Sequence, residues 1–248
     1  MGMSIETPEE LDGLRASGRV VAEALRAMRR AVRPGVSTAD LDAVAARIFR
    51  RAGARSAPQI TYGFPGATCI SVNDEAVHGI PGPRRLREGD LVKLDVAVEL
   101  DGFYADACMS VGVGRARPAT NRLAAAARHA LTQALGVARA GAPQSAIGAA
   151  IEREAGARGY AVCGELMGHG IGRRLHEAPD VPSFYAPDLT DSLTDGLVLT
   201  IEPIVTNGSG VVRPGRDGWT VCTADGALSA HEEHTIVITQ GAPLVLTA

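Results

Sequence analysis

The dipeptide Asp101-Gly102 lies between two strand-like stretches, in which apolar residues alternate with residues that are mostly polar. An Asp-Gly pair in this setting predicts a β-hairpin closed by a type I′ turn. Leu100 then faces Phe103, and this fixes the register along both strands, because a slip of one residue would turn every side chain to the other face. In this register Asp95 and Asp106 are diagonal neighbours on one face, so their carboxylates can converge.

The opposite face of the hairpin is apolar and is predicted to be core. It carries Leu94, Val96, Val98, Leu100, Phe103, Ala105, Ala107 and Met109. For an isolated hairpin, a solvated polar face is the simpler interpretation of the two aspartates. Metal binding requires further ligands, which the rest of the chain has to provide.

Two helices are predicted before the hairpin. The first spans 8–32, and the second follows Pro34-Gly35 with Ser37 as its N-cap. Apolar residues recur in the second helix at helical spacing and predict a face that packs into the core. They are Leu41, Val44, Ala45, Ile48 and Phe49.

A similar pattern returns in the second half of the chain and indicates an internal repeat. The matched positions are Arg33 with Arg139, Gly35 with Gly141, Leu41 with Ile147, Ala43 with Ala149, Arg47 with Arg153 and Gly53 with Gly159. Chance similarity between alanine-rich helices is the alternative explanation. Strand-like runs follow each helical pair, at 91–113 in the first half and at 196–205 and 235–239 in the second, with 114–120 as the connection.

This organisation predicts an α+β fold with two pseudo-symmetric halves, roughly 12–113 and 119–240, within one domain that spans 1–248. Two such halves that share a core would bring their strands together. A cleft at the pseudo-symmetry axis is then the expected position of a functional site.

Composition and charge argue against several classes of protein. A net charge of −3 gives no overall basic field for binding nucleic acid. No apolar run approaches the length that spans a membrane, and the polar, acidic start of the chain does not resemble an export signal. We therefore expect neither nucleic acid nor membrane as a partner. The four cysteines are far apart, so we expect no disulfide framework and a reducing cytoplasm as the compartment.

Three further residues are candidates for chemistry. His169 lies between two glycines, which allow close approach of backbone and ligand. Glu202 lies within the apolar run 197–205, where an unpaired buried carboxylate is costly, and Glu233 precedes another apolar run. The alternatives are that His169 only caps a turn and that Glu202 and Glu233 are each paired with an arginine.

Together with Asp95 and Asp106, these residues provide four carboxylates and one imidazole. This donor set suits two divalent first-row metal ions, manganese, iron, cobalt or zinc, better than a single Mg²⁺. Two such ions can activate water near neutral pH and polarise a carbonyl, as peptide hydrolysis requires. The chain has no G-x-S-x-G elbow, H-E-x-x-H helix, P-loop or dinucleotide fingerprint.

These motifs resemble the type I methionine aminopeptidases, members of the pita-bread (creatinase/aminopeptidase-like) family of dinuclear metallohydrolases, over nearly the whole chain. The resemblance is carried by 71–81, Leu94-Asp95, Asp106, 168–172, 201–203, 217–220 and 233–235. It implies a pita-bread fold, in which the two halves surround a curved antiparallel sheet. It also implies a catalytic domain that removes the initiator methionine from nascent proteins with a small second residue.

The resemblance further implies roles for single residues. Asp106 and Glu233 would bridge the two metal ions. Asp95 would complete one metal site, and His169 with Glu202 would complete the other. Glu202 would also act in catalysis as a proton shuttle.

Two further histidines would contact the substrate as catalytic residues. His78 would lie near the scissile amide, and His176 would hydrogen-bond its carbonyl and stabilise the tetrahedral intermediate. The alternatives are that His78 caps the turn before Pro81 and that His176 is a surface residue.

The apolar pocket that holds the methionine side chain in this family corresponds to Phe64, Cys69 and Trp219, for which ordinary core is the alternative. Leu175 stands where the family commonly has phenylalanine, and Thr61 stands where it commonly has tyrosine. These departures leave the metal ligands intact and indicate a roomier pocket.

Two other functions remain open. A proline-specific peptidase, prolidase or aminopeptidase P, shares the architecture, but such chains usually carry a large extra N-terminal domain, which we do not expect here. A non-catalytic binding module would have lost metal ligands, whereas all five are present. For the methionine aminopeptidase, the expected partners are nascent polypeptide N-termini at the ribosome, and the expected state is a monomer.

Overall fold

The computed structural model describes residues 2–248. Its helices are α1 (Pro8–Ala31), α2 (Thr38–Ala52), α3 (Ala57–Tyr62), α4 (Pro118–Val137) and α5 (Ser145–Ala157). Its strands are β1 (Arg55–Ser56), β2 (Cys69–Val72), β3 (Glu75–Val77), β4 (Leu91–Leu100), β5 (Phe103–Gly112), β6 (Ala161–Val162), β7 (Gly168–Gly170), β8 (Glu177–Val181), β9 (Val198–Ile201), β10 (Ile204–Thr206), β11 (Val212–Pro214), β12 (Val221–Thr223), β13 (Ser229–His231), β14 (His234–Val237) and β15 (Leu244–Val245). Within residues 2–248, none of the helices combines the length and the apolarity needed to cross a membrane.

The predicted hairpin is formed by β4 and β5, and its register is the predicted one. Asp95 faces Cys108, and Asp106 faces Ala97. Asp101 and Gly102 have φ angles of 51° and 82°, and positive φ at both central residues is what a type I′ turn requires. The sequence prediction of this hairpin is confirmed.

Helices α1 and α2 cover the apolar face of the hairpin. The hydroxyl oxygen of Thr7 accepts a hydrogen bond from the Glu10 N–H and caps α1, which ends one residue before the predicted boundary. Ser37 and Asp40 form a capping box at the start of α2, as the predicted N-cap requires. Buried residues of both helices and of the hairpin form one core cluster that includes Val21, Leu25, Met28, Leu41, Phe49, Leu94, Val96, Val98, Ala105 and Ala107.

Helices α4 and α5 pack in the same way on the ribbon formed by β9 and β14. Helix α4 begins at Pro118, whose fixed φ suits the first turn of a helix, so the connection is shorter than the predicted 114–120. The core between these helices and the ribbon includes Ala130, Leu131, Ala134, Ile147, Ile151, Leu199, Ile201, Ile236 and Ile238.

All strand pairs described between residues 2 and 248 are antiparallel. Two helical pairs therefore each cover an antiparallel strand pair, and the predicted α+β class is confirmed. The division into pseudo-symmetric halves at 12–113 and 119–240 stays a prediction.

Candidate active site

Two antiparallel ribbons meet end to end at the site. Strand β9 pairs with β14, and β10 pairs with β13, in one continuous register. Between the ribbons, strand pairing is interrupted at 202–203 and 232–233. The shared register places Glu202 opposite Glu233 in this interruption. Pro203 has no N–H to donate, so the single strand predicted over 196–205 is wrong and is replaced by two strands.

The β4–β5 hairpin is hydrogen-bonded to this interrupted ribbon. The Asp106 N–H donates to Thr235 Oγ1 at 2.9 Å, and the Thr235 hydroxyl donates back to the Asp106 carbonyl at 2.7 Å. The Glu233 N–H donates to the Cys108 carbonyl at 3.0 Å. These bonds hold the aspartate face of the hairpin against the two glutamates of the ribbon.

His169 is positioned by the neighbouring strand β9. Its N–H donates to Thr200 Oγ1 at 3.0 Å, and the Thr200 hydroxyl donates to Glu202 Oε1 at 3.1 Å. His169 Nδ1 lies 2.8 Å from the Gly170 carbonyl, which can only accept, so Nε2 is left with its lone pair at 3.7 Å from Glu202 Oε1. A Cβ on Gly168 would lie 2.5 Å from the Thr200 carbonyl oxygen, so this close approach requires glycine.

The four carboxylates are crowded together. Burial is the largest cause that raises the pKa of each one, and neighbouring carboxylates raise the pKa of Asp95, Asp106 and Glu233 further. Within residues 2–248, no arginine or lysine nitrogen lies within 4.0 Å of any of the four. Asp106 Oδ1 is buried without a hydrogen-bond partner. A cluster of this kind requires cations to remain ionised.

The arginine partner considered as an alternative for Glu233 belongs to its neighbour. Arg128 lies 3.1 Å from Glu232, which is buried next to Glu233 in the chain but does not line the cavity that the cluster borders. Ligand atoms of Asp106, His169 and Glu233 lie within 4.8 Å of one another. The donor set and its spacing therefore fit divalent metal ions.

Stability should depend on pH through Glu202 in the metal-free protein. Burial raises the pKa of Glu202 from 4.5 to about 7. A carboxyl group whose pKa is raised by folding binds its proton more tightly in the folded protein. The resulting stabilisation is complete below the pKa of the unfolded chain and is lost as pH rises through the pKa of the folded protein. Between about pH 5 and pH 8, the metal-free wild type is expected to lose stability relative to Glu202→Gln.

Urea unfolding of both proteins across this pH range, with and without Mn²⁺, measures the effect. Bound metal should remove the difference in pH dependence, because it stabilises the ionised carboxylates. Parallel pH profiles for the two metal-free proteins would contradict the assigned environment of Glu202.

The cluster borders a cavity of about 370 Å³. All ten predicted site residues line it, namely Phe64, Cys69, His78, Asp95, Asp106, His169, His176, Glu202, Trp219 and Glu233. Phe64 meets Trp219 edge to face, with ring centroids 5.2 Å apart, and Leu175 also lines the cavity. Phe64, Cys69 and Trp219, the predicted apolar positions, thus line a cavity instead of being enclosed in the core.

Sequence reasoning missed Tyr62. Its hydroxyl lies 2.5 Å from His176 Nδ1, and the His176 ring lies 4.1 Å from that of His169. Thr61 is exposed and is not among the residues that line the cavity, whereas the neighbouring Tyr62 is. An aromatic residue next to the predicted position was the available signal.

Sequence reasoning also missed His231. It lies two residues before Glu233 at the end of β13, and its ring nitrogens are buried without hydrogen-bond partners. Burial is the largest cause that lowers its pKa to about 3, so the imidazole is neutral. Alternate residues of a strand share a face, so this spacing from Glu233 was a usable signal.

Comparisons with known proteins identify the family. The profile of metallopeptidase family M24 matches residues 12–240. The chain therefore belongs to metallopeptidase family M24. This M24 chain is 42% identical to methionine aminopeptidase 2 of Bacillus subtilis, an alignment that covers 99% of each protein.

Solved structures agree with this assignment. The structure of methionine aminopeptidase from Thermotoga maritima matches the M24 chain with a TM-score of 0.96 and 35% identity, over 100% of this chain and 99% of that one. The prolidase from Pyrococcus furiosus matches with a TM-score of 0.77 and 20% identity, over 98% of this chain and 65% of that one, and shows the fold alone. The predicted pita-bread fold is confirmed.

Proposed function

We propose that this M24 metallopeptidase is a methionine aminopeptidase, which hydrolyses the N-terminal methionine from nascent proteins whose second residue is small. The observation that carries the proposal is that a carboxylate and imidazole cluster adjoins apolar and aromatic side chains within one cavity. The close relatives named methionine aminopeptidase support the same function.

The cluster is proposed to hold two divalent ions among manganese, iron, cobalt and zinc. Asp106 and Glu233 would be shared between the ions, Asp95 would complete one site, and His169 with Glu202 would complete the other. Bound there, the ions would supply Lewis-acid polarisation of the scissile carbonyl and a water molecule of lowered pKa.

Glu202 is proposed to move the proton. Its Oε1 is held by the Thr200 hydroxyl at 3.1 Å, which fixes the carboxylate beside the reacting atoms. It would take a proton from the attacking water and return it to the leaving amine nitrogen.

His176 is proposed to donate a hydrogen bond to the substrate carbonyl, and His78, which also lines the cavity, to contact the scissile amide. If the Tyr62 hydroxyl donates to Nδ1 of His176, the ring proton resides on Nε2 and is available to the substrate. Tyr62 thereby selects the tautomer that can stabilise negative charge on the carbonyl oxygen.

Replacing Tyr62 by phenylalanine is expected to lower kcat roughly fivefold with little change in KM, because a single hydrogen bond contributes about 1 kcal/mol. Steady-state kinetics on a Met-Ala peptide measures this. Tyr185→Phe, at an exposed tyrosine that does not line the cavity, is the matched control. An unchanged kcat for Tyr62→Phe would remove Tyr62 from the mechanism.

The methionine side chain is proposed to lie against Phe64, Cys69 and Trp219. A thioether makes favourable contacts with aromatic rings, and the edge-to-face pair provides two. Leu175 is smaller than phenylalanine, so we expect this pocket to accept side chains somewhat longer than methionine.

The proposed setting is the cytoplasm, where nascent N-termini would be met at the ribosome by a monomeric enzyme. The four cysteines, all free and buried, are consistent with a reducing compartment. Sedimentation with ribosomes and equilibrium ultracentrifugation would test the partner and the oligomeric state.

A peptide screen tests the function. Metal-free protein reloaded with Mn²⁺ or Co²⁺ should release methionine from Met-Ala and Met-Gly peptides, and much more slowly when the second residue is large. Hydrolysis of Xaa-Pro bonds alone would establish a proline-specific peptidase instead. Absence of stoichiometric metal under every loading condition would contradict the proposal and favour a non-catalytic binding module.

A further inference from the structure

His231 lies in the wall of the cavity beside the proposed metal ligands. Its backbone is fixed by Ser110, whose Oγ accepts from the His231 N–H at 2.9 Å and donates to the His231 carbonyl at 2.8 Å. The residue is 2% exposed, and neither ring nitrogen has a hydrogen-bond partner. An imidazole buried in this state lacks the partners that such groups normally have.

The carboxylate of Glu202 lies between two imidazoles. His169 Nε2 is 3.7 Å from Oε1, and His231 Nε2 is 3.6 Å from Oε2. His231 Nε2 is also 3.7 Å from Glu233 Oε2. His231 Nε2 is therefore about as far from Glu202 as the Nε2 of the proposed ligand His169 is, and it is similarly near the carboxylate of Glu233.

These distances suit coordination better than hydrogen bonding. They exceed the range of about 2.7–3.2 Å for a hydrogen bond from nitrogen to oxygen. Ligand atoms placed about 2.0–2.2 Å from one ion and 120° apart, as in the equatorial plane of a five-coordinate ion, lie roughly 3.5–3.8 Å apart. The ligand atoms of Glu202, His231 and Glu233 all lie within 4.8 Å of one another.

We propose that His231 is a sixth protein ligand, which coordinates through Nε2 the metal ion held by Glu202 and Glu233. The donor set then contains two imidazoles and four carboxylates. A second nitrogen donor shifts the preference of the site toward zinc, cobalt and iron and away from manganese and magnesium. This inference rests on the proposed metal centre.

Metal affinity alone does not test the proposal, because loss of a residue that merely orients a ligand weakens binding roughly 10–100-fold. Proton NMR of the Co²⁺-loaded protein, with histidines selectively labelled with ¹⁵N, is decisive. Each imidazole bound to high-spin Co²⁺ through Nε2 gives one strongly shifted Nδ1–H signal that is lost in D₂O. The two buried imidazoles should give two such signals in the wild type.

His231→Gln should lose one of these signals and keep the other, which belongs to His169. His234→Gln is the matched control, because His234 is a neighbouring imidazole that bonds to Thr247 and does not line the cavity. It should keep both signals.

One signal in the wild type would overturn the role of His231 and leave the proposed metal centre intact. This count does not depend on the folding of any variant. No shifted signal at any Co²⁺ concentration would instead contradict the metal centre and the proposed function together.

Discussion

Replacing Asp106 by asparagine is expected to lower kcat/KM for a Met-Ala peptide by at least about 1000-fold, since the metal centre supplies several kcal/mol of transition-state stabilisation. Asparagine preserves the shape of the side chain and leaves both backbone bonds to Thr235 in place. It removes one charge from a ligand that both ions would share. Metal content should fall together with activity.

The control for this variant is Asp101→Asn in the same hairpin. Asp101 is exposed at the turn with a φ of 51°, which asparagine adopts readily, so fold and activity should be unchanged. Mass spectrometry of the native protein and steady-state kinetics give the two measurements. An Asp106→Asn enzyme with normal metal content and normal rate would contradict the proposed role of Asp106.

Replacing His176 by glutamine is expected to lower kcat about 100- to 1000-fold, which is the usual effect of removing one donor that stabilises a developing oxyanion. The loss should appear in kcat and far less in KM, because the bond strengthens only as charge develops on the carbonyl oxygen. His176 is no proposed metal ligand, so metal content should remain that of the wild type.

The matched control for this variant is His129→Gln, at an exposed histidine on α4 that does not line the cavity. A His176→Gln enzyme that loses its metal would show that His176 acts through the metal centre. A variant with unchanged kcat would return His176 to the alternative of a surface residue.

Local sequence signals predicted the hairpin and the helical starts well. The Asp101-Gly102 turn fixes a register, and the register in turn places Asp95 and Asp106 on one face. Ser37 caps α2 because its side chain bonds within the next turn, so a few adjacent residues contain all the information. Such features depend on short-range geometry.

Features that arise between distant segments were not predicted. Pro203 interrupts one strand locally, but no single segment reveals that the facing strand is interrupted at the same place, so that two ribbons result. Thr200 and Thr235, which orient Glu202 and Asp106 through their hydroxyls, are register partners across β9 and β14. Both threonines look like ordinary strand residues in the sequence.

The site residues themselves were predicted through family resemblance more than through pattern. Each of His78, His176 and Trp219 has an ordinary structural interpretation when taken alone, and only their joint position around one cavity distinguishes them. Tyr62 and His231 were missed because neither belongs to the motifs that carry the resemblance. Their positions at the site are visible only in the contacts that they make.

Metal in the carboxylate cluster should enable release of N-terminal methionine. The most direct test titrates Co²⁺ into metal-free protein while bound metal and methionine released from a Met-Ala peptide are measured in the same samples. Release should be absent without metal, rise with bound Co²⁺ and reach its maximum at no more than two ions per chain. Methionine release that is independent of metal, or full metal binding without any release, would contradict the claim.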